Sequence, residues 1–142
     1  MKAVVYDKTS PDRFSYCDIE KPTPGDGDVL IRVHTTALNA GDYRLFRVGL
    51  GIPKSGIFGA DVTGTVESVG KNVVAFKPGD EVVADISDHG SGGMAEYVRA
   101  PQSVVARKPQ GVSFDDAAAS PIASVTALQA LRDIGRIKPG QK

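Results

Sequence analysis

"GADVTGTVESVG", residues 59–70, is the stretch from which the rest of the chain is read. Between its glycines, small polar and β-branched residues alternate with the period of two that belongs to a half-buried strand. Its second residue, Ala60, offers no reactive atom. Working outward, "KAVVY" (2–6), "DVLIRVHTTAL" (28–38), "DEVVADI" (80–86), "GMAEYVRA" (93–100) and "SVVARK" (103–108) also read as strands, separated by turn residues. In the second of these, Val29, Ile31, Val33 and Ala37 fall on one face and Arg32, His34 and Thr36 on the other, the pattern of a sheet with one wet side. "FKPGDE" (76–81) sets proline then glycine at the centre of a type II turn that delivers the chain into "EVVADI".

Composition agrees with this mainly β reading. The chain has 142 residues, 41% of them hydrophobic, enough for one soluble domain with a core. Seventeen basic and seventeen acidic side chains cancel, which argues against nucleic acid or an anionic membrane as partner. Sixteen glycines and nine prolines suit short strands joined by tight turns. Cys17 is the single cysteine, so neither an intrachain disulfide nor a thiolate zinc cluster can form, and a reducing cytoplasm is the expected setting. Asp7 interrupts the apolar start before a signal-peptide core develops, and no apolar run reaches the roughly 20 residues of a membrane span.

Two helical regions interrupt the strands. "AGDYRLFRV" (40–48) places Leu45 and Val48 on one side, with Asn39 as candidate cap. "SFDDAAAS" (113–120) opens with the S-x-x-D spacing of a capping box at Ser113 and Asp116. After Pro121 the pattern resumes, with Val125, Leu128, Leu131 and Ile134 in an apolar stripe that stops at Gly135. "IKPGQK" (137–142) then repeats the proline-glycine turn of "FKPGDE", as though another strand should follow.

Taken in order, "GDGDVLIRVHTTALNAGD", "GADVTGTVESVG", "FKPGDEVVA" with "GGMAEYV", and "AAASPIASVTALQAL" resemble the amino-terminal catalytic domain of the medium-chain dehydrogenase/reductase superfamily. The resemblance covers essentially the whole chain. It implies a GroES-like β-barrel with short peripheral helices over residues 1–112, and over 113–142 a helical connection toward a Rossmann domain that the chain lacks. The glycine-rich "HGSGGM" (89–94) lies between two predicted strands and opens no helix, so it reads as a barrel loop and not as a phosphate cradle.

The resemblance also gives Ala60 its meaning. Zinc-dependent members carry G-H-E where this chain has Gly59-Ala60-Asp61, and a cysteine where it has Asn39, three residues before Asp42. Alanine has no ligand atom, and an asparagine amide is a poor replacement for thiolate on zinc. The chain thus resembles the zinc-free branch, and no metal is expected. Hydride transfer without a Lewis acid needs either an acceptor activated by conjugation, such as a quinone, an enone or a 2-enoyl thioester, or hydrogen-bond donors aimed at the developing oxyanion. The implied cofactor is NADPH or NADH, held mainly by the missing domain, and the implied full-length protein is a homo-oligomer. The isolated chain is expected to be inactive.

Asn39 is the candidate catalytic and cofactor-contacting residue, although its N-x-x-D spacing with Asp42 also fits a helix cap, and both roles can coexist. Tyr43 can donate its phenol to a substrate oxygen or simply pack its ring. Thr126 matches a cofactor-touching threonine of reductase relatives, or is an ordinary helix residue. His34 and His89 read as surface histidines and Cys17 as a packed small side chain. Two other readings stay open: a zinc-type alcohol dehydrogenase with atypical ligands, and a stand-alone GroES-like binding or assembly module.

Overall fold

Valine and isoleucine at alternate positions build the wall on which everything else is mounted. The computed structural model describes residues 1–141; Lys142 and the side chain of Leu45 lie outside the described residues, and with the latter the expected pairing of Leu45 and Val48. Seven strands form: β1 (Lys2–Tyr6), β2 (Phe14–Asp18), β3 (Asp28–Ala37), β4 (Asp61–Val69), β5 (Glu81–Asp85), β6 (Tyr97–Pro101) and β7 (Val105–Arg107). Five of them make an antiparallel sheet in the order β6-β3-β4-β5-β7. The antiparallel pair β1 and β2 extends this wall, through an Ala3–Ala95 bridge and backbone hydrogen bonds from Val4 to Met94 and from Glu96 to Lys2. Val29, Ile31, Val62, Val66, Val82, Ala84, Ile86, Val98, Ala100 and Val105 fill the core.

The simple alternation expected for β3 is modified. Register shifts fall between Leu30 and Ile31 and between Val33 and Thr35. The first leaves Glu67 of β4 unpaired and the second leaves His34 of β3 unpaired; Val29, Leu30 and Ile31 are all buried, with Leu30 outside the core cluster that holds its two neighbours. Beyond the second shift, Thr35 and Thr36 turn their hydroxyls to Asp115 Oδ1 and to the Asp61 carbonyl. β2 has no counterpart among the strands predicted from sequence. Its pattern is irregular, because β2 is held mainly by pairing with β1 and by the stacking of Phe14 on Phe46, 4.8 Å between centroids.

Three helices follow from local signals. α1 (Ala40–Arg47) starts after Asn39, whose backbone N–H donates to Asp42 Oδ2 at 2.7 Å. α2 (Phe114–Ala118) has the expected cap: Ser113 Oγ accepts from the Asp116 N–H at 3.0 Å and donates to the Asp116 carboxylate at 2.7 Å. α3 (Pro121–Gln129) runs into a π-helical turn, Ala130–Ile134, which closes at Gly135. The two proline-glycine turns share one geometry. Asp80 N–H bonds to Lys77 O and Gln141 N–H to Lys138 O, each at 3.2 Å, with positive φ at Gly79 and Gly140.

α2 packs on the outer side of β3 and β4. Thr63 Oγ1 donates to the Phe114 carbonyl at 2.9 Å, and the Phe114 ring stacks on His34 at 4.2 Å. Among the described residues no helix is long and apolar enough to cross a membrane.

Ile31 is fully buried at the centre of the sheet. Ile31→Ala is expected to lower unfolding stability by about 2–5 kcal/mol, and Ser113→Ala by about 1 kcal/mol through loss of the cap. Both appear as lower midpoints in urea denaturation, with the larger shift for Ile31→Ala.

Candidate functional site

The site lies where β4 begins and α1 and α3 approach it. Asp61 is the first residue of β4 and is 1% exposed. Its Oδ2 accepts from Asn39 Nδ2 at 2.9 Å, and its Oδ1 accepts from the backbone N–H of Ile122 at 2.9 Å. Its carbonyl accepts from Thr36 Oγ1 at 2.8 Å. One aspartate thus joins β3, the residue before α1, and the first turn of α3.

The reason is visible at α3. A helix leaves its first N–H groups without internal partners. Ser120 at the N-cap makes no side-chain cap, because its Oγ donates back to the Ala117 carbonyl, and Pro121 has no N–H. The Ile122 N–H is therefore capped from another element, by a carboxylate at the positive end of the helix dipole. Burial nevertheless pushes the Asp61 carboxyl above the ordinary aspartate range. The hydrogen bonds from Asn39 and Ile122 oppose that rise, while the nearby charges of Asp85 and Asp42 add to it. Asp85 stands directly across from Asp61 in the β4–β5 register, an arrangement in which like charges repel.

The sequence left capping and catalysis open for Asn39; among the described residues its side chain makes no cap bond to α1. The Asp42 carboxylate holds the Asn39 backbone N–H, which frees the Asn39 amide for Asp61. Tyr43, one residue further on, is 52% exposed. It lines an apolar groove of about 270 Å³ with Phe14, Leu38, Phe46, Phe58 and Met94, and with Asp42. Thr126 is exposed on α3, four residues after Ile122 and so on the same helix face one turn along. Its hydroxyl makes no hydrogen bond to another described residue. The structure therefore brings Asn39 and α3 together through Asp61, and sets Tyr43 in a separate apolar groove beside α1.

Asp61 is the residue whose part the sequence did not reveal. An acidic residue at the head of a strand whose first residues are mostly buried was the available signal, since a buried carboxylate requires donors. The glycine-rich 89–94 segment is a loop, as expected. Its Gly92, Gly93 and Met94 N–H groups donate to the Gly59 and Phe58 carbonyls, so they are engaged in packing the loop onto the start of β4. The fit is close: a Cβ on Gly59, where φ is +90°, would come within 2.6 Å of Thr36 Oγ1.

A catalytic zinc does not fit this set of donors. Ala60 is buried and has no ligand atom, the Asn39 amide oxygen is a poor substitute for a thiolate, and each Asp61 oxygen already accepts a hydrogen bond, which leaves no set of three good ligands. Among the described residues no group of three or more histidine, cysteine, aspartate or glutamate side chains is placed to hold a metal ion.

Comparison with known proteins agrees with the geometry. Residues 25–110 match the alcohol dehydrogenase GroES-like domain. A chloroplast envelope quinone oxidoreductase homolog of Arabidopsis thaliana is 36% identical over 87% of this chain and 39% of its own length. A zinc-type alcohol dehydrogenase-like protein of Staphylococcus aureus is 31% identical over 87% of the chain and 37% of its own length. The solved quinone oxidoreductase of Coxiella burnetii superposes with a TM-score of 0.81 at 29% identity, covering 99% of this chain and 46% of that one. The chain belongs to the medium-chain dehydrogenase/reductase superfamily, as its amino-terminal GroES-like domain. It spans about two fifths of the length of the curated relatives it matches.

Because the folded-state pKa of Asp61 is raised, the folded protein binds its proton more tightly than the unfolded chain does. Its contribution is greatest below the unfolded value and is lost as pH rises through the folded one. Across that acidic window the stability of the wild type relative to Asp61→Asn is expected to fall with rising pH, then to level off. Denaturation midpoints of the two proteins at a series of pH values measure the difference; a constant difference would refute the elevated pKa.

Proposed function

We propose that the chain is the catalytic domain of a zinc-independent, NAD(P)H-dependent oxidoreductase that reduces quinones, enones or similar conjugated carbonyls. The observation that carries this reading is the replacement of a metal-ligand set by a hydrogen-bonded junction. Asn39, Ala60 and Asp61 stand where zinc-dependent members carry zinc-site residues; here Ala60 has no ligand atom, and the Asp61 carboxylate accepts from the Asn39 amide and from the first turn of α3. The kinship with quinone oxidoreductases supports the same direction.

A nicotinamide dinucleotide supplies the hydride when bound. In this reading Asn39 and Thr126 touch its nicotinamide end, while the rest is held by a Rossmann domain beyond residues 113–142. The exposed apolar stripe of Val125, Leu128, Leu131 and Ile134 is available to pack against that domain. The apolar groove beside Tyr43 receives the ring or chain of the acceptor and keeps water from it. Tyr43 is the nearby phenol able to donate to the acceptor oxygen. A conjugated acceptor needs no Lewis acid, since its own π-system spreads the charge that the hydride brings. Homo-oligomerisation and a reducing, cytoplasmic setting belong to the same reading, the latter supported by the free thiol of Cys17.

The zinc-type name of the Staphylococcus aureus relative favours a second reading, an alcohol dehydrogenase with atypical ligands. Chelation separates the two. The product of the complete reading frame is expected to oxidise NADPH or NADH with quinones or enones at an unchanged rate after exhaustive chelation. Loss of activity that zinc restores would establish the second reading. No oxidation with any conjugated carbonyl would overturn the first. Residues 1–142 alone are expected to give no turnover, and tight NADPH binding by them would contradict this placement of the cofactor.

A further inference from the structure

The Asn39 amide has two different ends, and Asp61 decides which of them faces the bond. An ionised carboxylate only accepts hydrogen bonds. The amino end of Asn39 therefore points to Asp61 Oδ2, at 2.9 Å, and the carbonyl Oδ1 has no hydrogen-bond partner among the described residues. The same carboxylate holds the Ile122 N–H with its other oxygen. The Thr126 side of α3 is thereby kept at a fixed distance from Asn39.

We propose that Asp61 is a positioning residue: it holds the Asn39 amide so that its carbonyl oxygen is offered as an acceptor to an N–H donor of the bound ligand, and at the same time locks α3 beside it. The donor that fits is a primary carboxamide, the group a nicotinamide carries on its ring. Asn39 then aligns the ring and does not serve as a hydrogen-bond donor to a developing oxyanion. This rests on the reading in which Asn39 touches the nicotinamide. It adds a direction to that contact and assigns its cause to a buried residue that does not meet the ligand.

Substitution by asparagine tests the direction without emptying the site. In Asp61→Asn the new amide accepts from the Ile122 N–H through its carbonyl, so its amino group faces Asn39 and turns that amide round. The double variant N39D/D61N exchanges the two groups. It restores an amino-to-carboxylate bond and again leaves an acceptor oxygen free on residue 39.

The experiment is a fluorescence titration of the complete protein with NADPH and NADH in the absence of acceptor, beside thermal unfolding of each variant. Asp61→Asn is expected to remain folded and to bind the nicotinamide cofactor about tenfold more weakly, as for one lost hydrogen bond. The exchanged variant is expected to recover most of that loss, and Asn39→Ala to show no added effect on the Asp61→Asn background. Unchanged cofactor affinity in Asp61→Asn, or an exchanged variant no better than Asp61→Asn, would overturn the proposal. A protein that binds neither cofactor overturns this inference and the functional reading together. One that binds it with the expected pattern, yet reduces no conjugated carbonyl, overturns the functional reading alone.

Discussion

A carboxylate taken out of water must find donors for both oxygens, and Asp61 finds them on two different elements. That requirement organises this end of the molecule. Asn39 and Ile122 are 83 positions apart in sequence, yet each gives one N–H to the same side chain. Asp61 itself is fixed by sheet pairing, opposite Ala37 on β3 and Asp85 on β5. Moving α1 or α3 relative to the sheet would leave a buried charge short of a partner, a larger loss than an ordinary hydrogen bond.

The surroundings are built to permit this joint. Gly59 and Gly93 pack so closely on Thr36 that no side chain fits between them, which lets the loop N–H groups of Gly92, Gly93 and Met94 bond to the Gly59 and Phe58 carbonyls. The bulge at His34 in β3 breaks the simple alternation, and beyond it Thr35 and Thr36 bond to α2 and to Asp61. The hydrophobic core supplies the driving force through Val, Ile and Ala on the five strands of the sheet, and the polar joint sets where the helices sit on it. At this joint the polar side chains hold one another: Asn39 bonds to Asp61, and Asp61 caps α3.

Much of this was legible in the chain. The period-two pattern placed β1, β3, β4 and β5 within a residue or two, the S-x-x-D signal placed α2, and the proline-glycine turns carried their own geometry. β2 was not legible, because its pairing with β1 and the ring contacts of Phe14 are non-local and leave no alternation behind. Asn39 was identified as a site residue, but capping and catalysis had the same spacing. What its two ends bond to was set in three dimensions, its backbone N–H by Asp42 and its side-chain amide by Asp61.

The sequence by itself determined the alternation that marks β1, β4 and β5, the two proline-glycine turns, the Ser113 cap and the lack of ligand atoms at Ala60, since each depends on neighbours within a few positions. Only the tertiary structure decided what Asp61 does. Whether a carboxylate is solvated, paired with a cation or used to cap a distant helix depends on which backbone N–H groups the fold brings to it. No spacing along the chain encodes that Pro121 and Ser120 would leave Ile122 uncapped at a distance of 2.9 Å from β4.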